Sequence, residues 1–274
     1  MAFSIQTSII MKQSFICFLL IFAFNSACFA QIPQSPQQKG LLGITDVQSF
    51  DKYLLVVEGV GSSSKDLLNE QTLKSYMMPP RLAGKKGNSA TYALAVALEY
   101  YINLNNNYKD NLSPDFIRLQ MPQGSVEDNL SFLANTGTVS AAILPFDSPN
   151  LTPSVYSAVK YKIKNYIKLF QSTTRPQQKL YDLRKAIMRG NPVVVEMQIT
   201  NEFKNLRQTR FWQANTGDIT AAGTQFLVVV GYDEERKAVE LLNSWGREWG
   251  NGGYIWISYD DFGALATNGY VLVL

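Results

Sequence analysis

Gly87-Asn88-Ser89-Ala90-Thr91-Tyr92-Ala93-Leu94-Ala95-Val96-Ala97-Leu98-Glu99-Tyr100-Tyr101 reads as a tight turn that feeds straight into an apolar helix. Asn88 suits the N-cap, because its short polar side chain can accept a hydrogen bond from an N–H of the first turn. Ala90, Leu94, Ala97, Leu98 and Tyr101 recur at helical spacing, and Ala93, Val96 and Tyr100 make the other side apolar too. A helix apolar nearly all round belongs in a core. Its first residue, Ser89, then stands in an exposed turn at the positive end of the helix dipole, where a fold can present a nucleophile whose anion needs stabilising.

Outward from this helix, the chain has 274 residues, enough for one large domain or two small ones with a sizeable core. An apolar content of 46% against 17% charged residues describes a folded globular chain rather than a disordered one. The net charge of +3 is small and forms no basic stripe, so neither a nucleic-acid partner nor an anionic membrane surface is supported.

Residues 1–30 read as a secretory signal peptide: a basic start at Met11-Lys12, an apolar run from Phe15 to Phe24, and small residues at Cys28 and Ala30 before Gln31. That run is too short to span a bilayer as an ordinary transmembrane helix. The expected location is secreted, periplasmic or at the cell surface, with cleavage near Ala30 and a lipoprotein anchored at Cys28 as the alternative. Both cysteines, Cys17 and Cys28, lie in this segment, and the chain has no histidine. Cleavage after Ala30 would leave no thiol, no imidazole, no disulfide and no zinc or haem ligand set of the usual kinds, so no cofactor and no metal is expected.

Gln31 to Lys39 is polar and bears prolines, as a flexible arm does. Residues 31–77 form an N-terminal extension with a predicted strand at Tyr53–Val57, a turn at Gly59-Val60-Gly61-Ser62 and a short helix near Leu67–Leu73. The Gly-x-Gly of that turn invites a nucleotide-binding reading, but no third glycine follows and no βαβ unit surrounds it. After the apolar helix come a loop at Asn103–Asn107 and helices over Leu112–Gln120 and Val126–Ala134. Ser148–Pro153 is the expected crossover, followed by an amphipathic helix from Gln177 to Arg189 that Gly190 stops. Strands are predicted at Pro192–Met197, Gln225–Tyr232, Ala238–Leu242, Gly253–Ile257 and Tyr270–Leu274. Helices first and strands second predict an α+β protein.

Gly87-Asn88-Ser89-Ala90-Thr91-Tyr92-Ala93 resembles the nucleophile helix of the papain-like cysteine peptidases, Gln-Gly-Ser-Cys-Gly-Ser-Cys-Trp-Ala-Phe. Laid on without a gap, that pattern puts Ala83 at the oxyanion glutamine, Gly84 and Gly87 on glycines, and Ser89 at the catalytic cysteine. Leu112-Ser113-Pro114-Asp115-Phe116 is similar to the family's entry into its second helix, and Gly124-Ser125-Val126-Glu127-Asp128-Asn129-Leu130 resembles the glycine segment that follows. Gly223-Thr224-Gln225-Phe226-Leu227-Val228-Val229-Val230-Gly231-Tyr232-Asp233 resembles the histidine motif with Gln225 in its place. Asn243-Ser244-Trp245-Gly246, with Trp249-Gly250 and Gly252-Gly253-Tyr254, matches the third motif nearly letter for letter.

The resemblance covers Met78 to Leu274 and implies the papain-like two-lobe fold: a helical lobe over about 78–165, a β-barrel-like antiparallel lobe over about 166–274, and a cleft between them. Residues 31–77 are about half the length of the family's inhibitory propeptide and lack its helical signature, so a complete propeptide is not expected. The resemblance further implies that Ser89 stands for the nucleophile, Gln225 for the base, Ala83 for the oxyanion donor and Asn243 for the residue that orients the base. A serine hydroxyl is barely ionised near neutral pH and needs a base, and glutamine has no titratable proton to offer.

Plainer readings stand beside these. Ser89 can be a bare helix residue, and Asn243 with Trp245 can simply pack a strand corner. Lys85 or Lys86 could activate Ser89 as a Ser–Lys pair, although the resemblance gives neither ammonium a reason to reach the hydroxyl. Asp233-Glu234-Glu235 reads as a solvated hairpin turn. The leading expectation is a catalytically silent protein that binds a peptide or protein through Gly124, Ser125, Gln225 and Trp245, since main-chain pairing needs no nucleophile. The alternatives are a hydrolase using Ser89 and a structural component of a surface assembly; no oligomeric state is specified.

Overall fold

In chain order the elements are α1 (Phe50–Tyr53), β1 (Glu70–Thr72), α2 (Ser89–Asn106), α3 (Pro114–Gln120), α4 (Val126–Asn135), α5 (Ser154–Ser157), β2 (Asn165–Phe170), α6 (Pro176–Met188), β3 (Val193–Ile199), α7 (Asn201–Lys204), β4 (Phe211–Trp212), β5 (Gly223–Asp233), β6 (Ala238–Leu242), β7 (Tyr254–Ser258), α8 (Tyr259–Leu265) and β8 (Ala266–Val273). This computed structural model describes residues 42–214 and 221–274. The expected signal peptide, its cleavage point, both cysteines and the proline-bearing arm lie outside the described residues. Among the described residues no helix is long and apolar enough to cross a membrane.

The apolar helix forms as its sequence dictates. Asn88 is extended, its side chain accepts from Ala90 N–H at 2.9 Å, and both faces of α2 are buried. The expected loop at Asn103–Asn107 is instead its last turn, closed by Asn107 in the left-handed conformation. The asparagine run remains helical because Asn103 exchanges two 3.0 Å hydrogen bonds with the backbone of Asp110 and so ties the helix end to the chain beyond it.

The strands form one sheet in the order β2-β8-β3-β5-β6-β7-β4, with β1 paired to β5 as well. All pairs are antiparallel except the two-residue β4–β7 pair. The α+β architecture thus stands; the sheet is open and, where the resemblance implies an antiparallel barrel-like lobe, carries one short parallel pair.

Two predicted elements in the extension take other forms. Tyr53–Val57 is not a strand, because its backbone is met by the loop after α6: Val57 N–H donates to Arg189 O at 2.8 Å and Asn191 Nδ2 to Leu55 O at 2.6 Å. Near Leu67–Leu73 the chain forms β1 rather than a helix, since Glu70–Thr72 pairs with Gly231–Asp233. Gly231 permits that pairing; a Cβ there would lie 3.0 Å from Gln71 O. The sequence also gave no sign of β2, which covers β8, or of α8, which starts where the Ser258 side chain accepts from Asp261 N–H. The main core runs through both the helical half and the sheet, and takes in Phe50, Leu54, Leu73 and Met77 from the extension.

Candidate functional site

Ser89 opens α2, and its Oγ accepts a hydrogen bond from the backbone N–H of Phe226 at 3.2 Å, which fixes the helix start against β5. Lys85 and Lys86 are exposed, and among the described residues neither bonds to the Ser89 hydroxyl. Beside Phe226, Gln225 is 6% exposed and donates from Nε2 to Asn243 Oδ1 at 2.8 Å. The same Oδ1 accepts Ser244 N–H at 2.7 Å. A backbone N–H can only donate, so it fixes oxygen at that end of the Asn243 amide. That in turn requires the nitrogen of Gln225 to face Asn243 and leaves its oxygen turned elsewhere.

Ala83 is held to the strand corner by its N–H, which donates to Ser244 O at 2.7 Å, while Gly246 N–H donates to Arg81 O at 2.8 Å. The Ala83 methyl has no polar atom to offer a ligand. The turn that follows needs its glycines: a Cβ on Gly87 would lie 2.7 Å from the Ala83 Cβ, and one on Gly84 would overlap the Asp147 carboxylate. The structure therefore brings Ala83, Ser89, Gln225 and Asn243 into one neighbourhood through hydrogen bonds between β5, the helix start and the corner at Ser244.

Trp245 is half-buried and packs edge-on to Phe203 and Trp249, with ring centroids 6.3 and 5.5 Å away, in a cluster that also holds Trp212. Those contacts give it a packing role. Gly124 and Ser125 lie at the start of α4, where Ser125 Oγ accepts Asp128 N–H and Asp128 Oδ2 accepts Ser125 N–H. The Ser125 hydroxyl is therefore occupied in a capping box.

Three features went unassigned in the sequence. Glu99, buried inside α2, pairs with Arg81 and accepts Leu112 N–H at 2.7 Å; Arg81 also donates to Asn111 Oδ1 at 2.9 Å. Burial pushes the Glu99 carboxyl above its ordinary range, against the pull of Arg81. Beneath the site lies a cavity of about 20 Å³ lined by Arg81, Tyr92, Phe226, Val228, Asn243 and Ser244, room for about one water and too small for a peptide side chain. The third is Glu196 on β3, cross-strand from Phe226. A charge interrupting an apolar run was the available signal for Glu99 and Glu196; their partners were not visible.

The family model described as papain family cysteine protease matches residues 122–270, more than half of the 274. The chain belongs to the papain family. Solved structures share its fold. Xylellain, a cysteine protease from Xylella fastidiosa, superposes with a TM-score of 0.60 at 20% identity, covering 85% of this chain and 96% of that one. Procathepsin L 3 of Tenebrio molitor gives 0.64 at 19%, with 83% and 79% covered. The bromelain protease of Ananas comosus gives 0.61 at 17%, with 76% and 100% covered. At these identities the likeness is one of fold. Gamete and mating-type specific protein A of Dictyostelium discoideum is 24% identical over 208 residues, which span 72% of this chain and 44% of that protein.

Chemically, the assembled groups are a hydroxyl, two carboxamides and a methyl. They can donate and accept hydrogen bonds. None of them exchanges a proton near neutral pH.

Proposed function

We propose that this papain-family protein holds an extended peptide or protein segment in its cleft without cleaving it. The observation that carries this reading is the Gln225 Nε2 to Asn243 Oδ1 hydrogen bond of 2.8 Å, beside a Ser89 hydroxyl tied to Phe226 N–H. Peptide cleavage requires a group that takes a proton from the nucleophile and gives one to the leaving amine. A carboxamide in that place performs neither step, and Ala83 supplies no side-chain donor to an oxyanion. Binding asks for less. Gly124 N–H already donates to Met121 O at 3.2 Å, so an extended peptide laid there would pair with its carbonyl as an added strand does.

The test is Ser89→Cys combined with Gln225→His and Ala83→Gln, assayed beside the unaltered protein on a mixed fluorogenic peptide library. The unaltered protein is expected to bind labelled peptides with no turnover, and the triple variant to cleave what its parent binds. Turnover by the unaltered protein that disappears in Ser89→Ala would refute the reading in favour of a serine-dependent hydrolase.

A further inference from the structure

The sheet register places one carboxylate, that of Glu196, cross-strand from Phe226, whose N–H holds Ser89. Phe226, Glu196 and Asn268 are direct cross-strand neighbours on β5, β3 and β8, and two residues further along lie Val228, Val194, Tyr270 and Lys168. Side chains of directly paired residues, and of residues two apart on one strand, share a face of the sheet. Phe226 and Val228 line the cavity with Tyr92, Ala93 and Val96 of α2, so this face is the one α2 covers. Over the other end of the second row sits α4, whose Glu127 accepts from Tyr270 Oη at 2.6 Å and pairs with Lys168 at 3.0 Å. Glu196 thus lies between the start of α2, where Ser89 holds Phe226, and the start of α4, where Gly124 stands.

Glu196 is half-buried, and its Oε2 accepts from Thr267 Oγ1 at 3.0 Å and from Asn268 Nδ2. Both donors are neutral. Among the described residues it has no cationic partner, while the nearby Lys168 is paired with Glu127. Charged side chains withdrawn from water are normally paired.

We propose that Glu196 selects a cationic side chain, arginine above all, in the peptide held by the cleft. The proposal rests on the peptide-binding reading and adds the class of ligand. An extended peptide alternates its side chains, so one laid past Ser89 and Gly124 turns a side chain toward the sheet. A guanidinium suits a carboxylate whose orientation is already fixed by two donors, because it offers several N–H groups in one plane.

The test uses fluorescein-labelled hexapeptide pools, each with one position fixed as Arg, Glu or Leu and the others mixed, read by fluorescence polarisation against the full chain. At one position the Arg pool is expected to bind about tenfold more tightly than the Leu pool, the size of one charge-assisted hydrogen bond. Glu196→Gln should remove that preference while the Leu pool binds as before, and Glu196→Lys should shift it to the Glu pool. The preference of the unaltered protein should also fade as salt rises, a result that needs no variant to fold. Equal binding of Arg, Leu and Glu pools overturns the proposal and leaves the peptide-binding reading standing. Failure of every pool to bind overturns both.

Discussion

Glu99 is a carboxylate set inside a helix that is otherwise apolar, and its position decides what it does. It is 1% exposed, paired with Arg81, and accepts Leu112 N–H, so two lobe-building segments meet on one side chain. Burial raises its pKa from the ordinary 4.5, with Arg81 opposing. The folded protein therefore binds this proton more readily than the unfolded chain does. Stability contributed by the group is greatest below about pH 4.5 and falls as pH rises through the folded pKa. Glu99→Gln keeps an acceptor oxygen for Arg81 and Leu112 and is expected to remove that downward slope. Glu99→Ala takes the acceptor away from two buried donors and should cost about 3 kcal/mol or more. Urea unfolding of the three proteins between about pH 4 and 8 checks both statements; an unchanged slope in the Gln variant would show that another group sets it. The sequence displayed the charge inside the apolar run, but its partner lies 18 residues earlier and carries no local mark.

The elements that were legible are those whose signals are local. Asn88 before an apolar run fixes where α2 begins, and the Ala238–Leu242 strand falls where its apolar residues end at a turn on either side. Asn88→Ala should cost about 1 kcal/mol in thermal or urea unfolding, and Asn88→Gly only a few tenths. Because Ser89 follows the cap directly, the same substitution should loosen the hold of its Oγ on Phe226, read as faster amide exchange at Phe226. A cap of no consequence to either measurement would mean that packing alone starts the helix. Elements set by distant partners were misread. Glu70–Thr72 becomes a strand only because β5 presents Gly231 to it, and Tyr53–Val57 fails to become one because Arg189 and Asn191 take its backbone groups first.

At the scale of the whole molecule, the order of helices followed by strands foretold the architecture, and motif resemblance foretold that Ser89, Gln225 and Asn243 would meet. Gln225 donates to Asn243, and Ser89 accepts from the N–H of Phe226, the residue that follows Gln225. Glu196 was beyond reach of the sequence, since its place beside Phe226 depends on the register of β3 against β5 and β8, strands separated along the chain. The same assembly predicts how binding responds to acidity. The chain contains no histidine, and the groups gathered at the site are serine, glutamine, asparagine and alanine, none of which changes charge near neutrality. Affinity for the Leu peptide pool should therefore stay level between about pH 6 and 9, because neither the site nor an apolar peptide side chain gains or loses a proton there. Gln225→His should introduce a step near about 6.5, the ordinary range of imidazole, displaced by whatever charge the bound peptide brings. Polarisation titrations of both proteins across that range separate the cases. A level profile for the unaltered protein with a step in the variant supports a site that holds its ligand through uncharged hydrogen bonds and backbone pairing. A step in the unaltered protein would place a titrating group at the ligand and refute that reading.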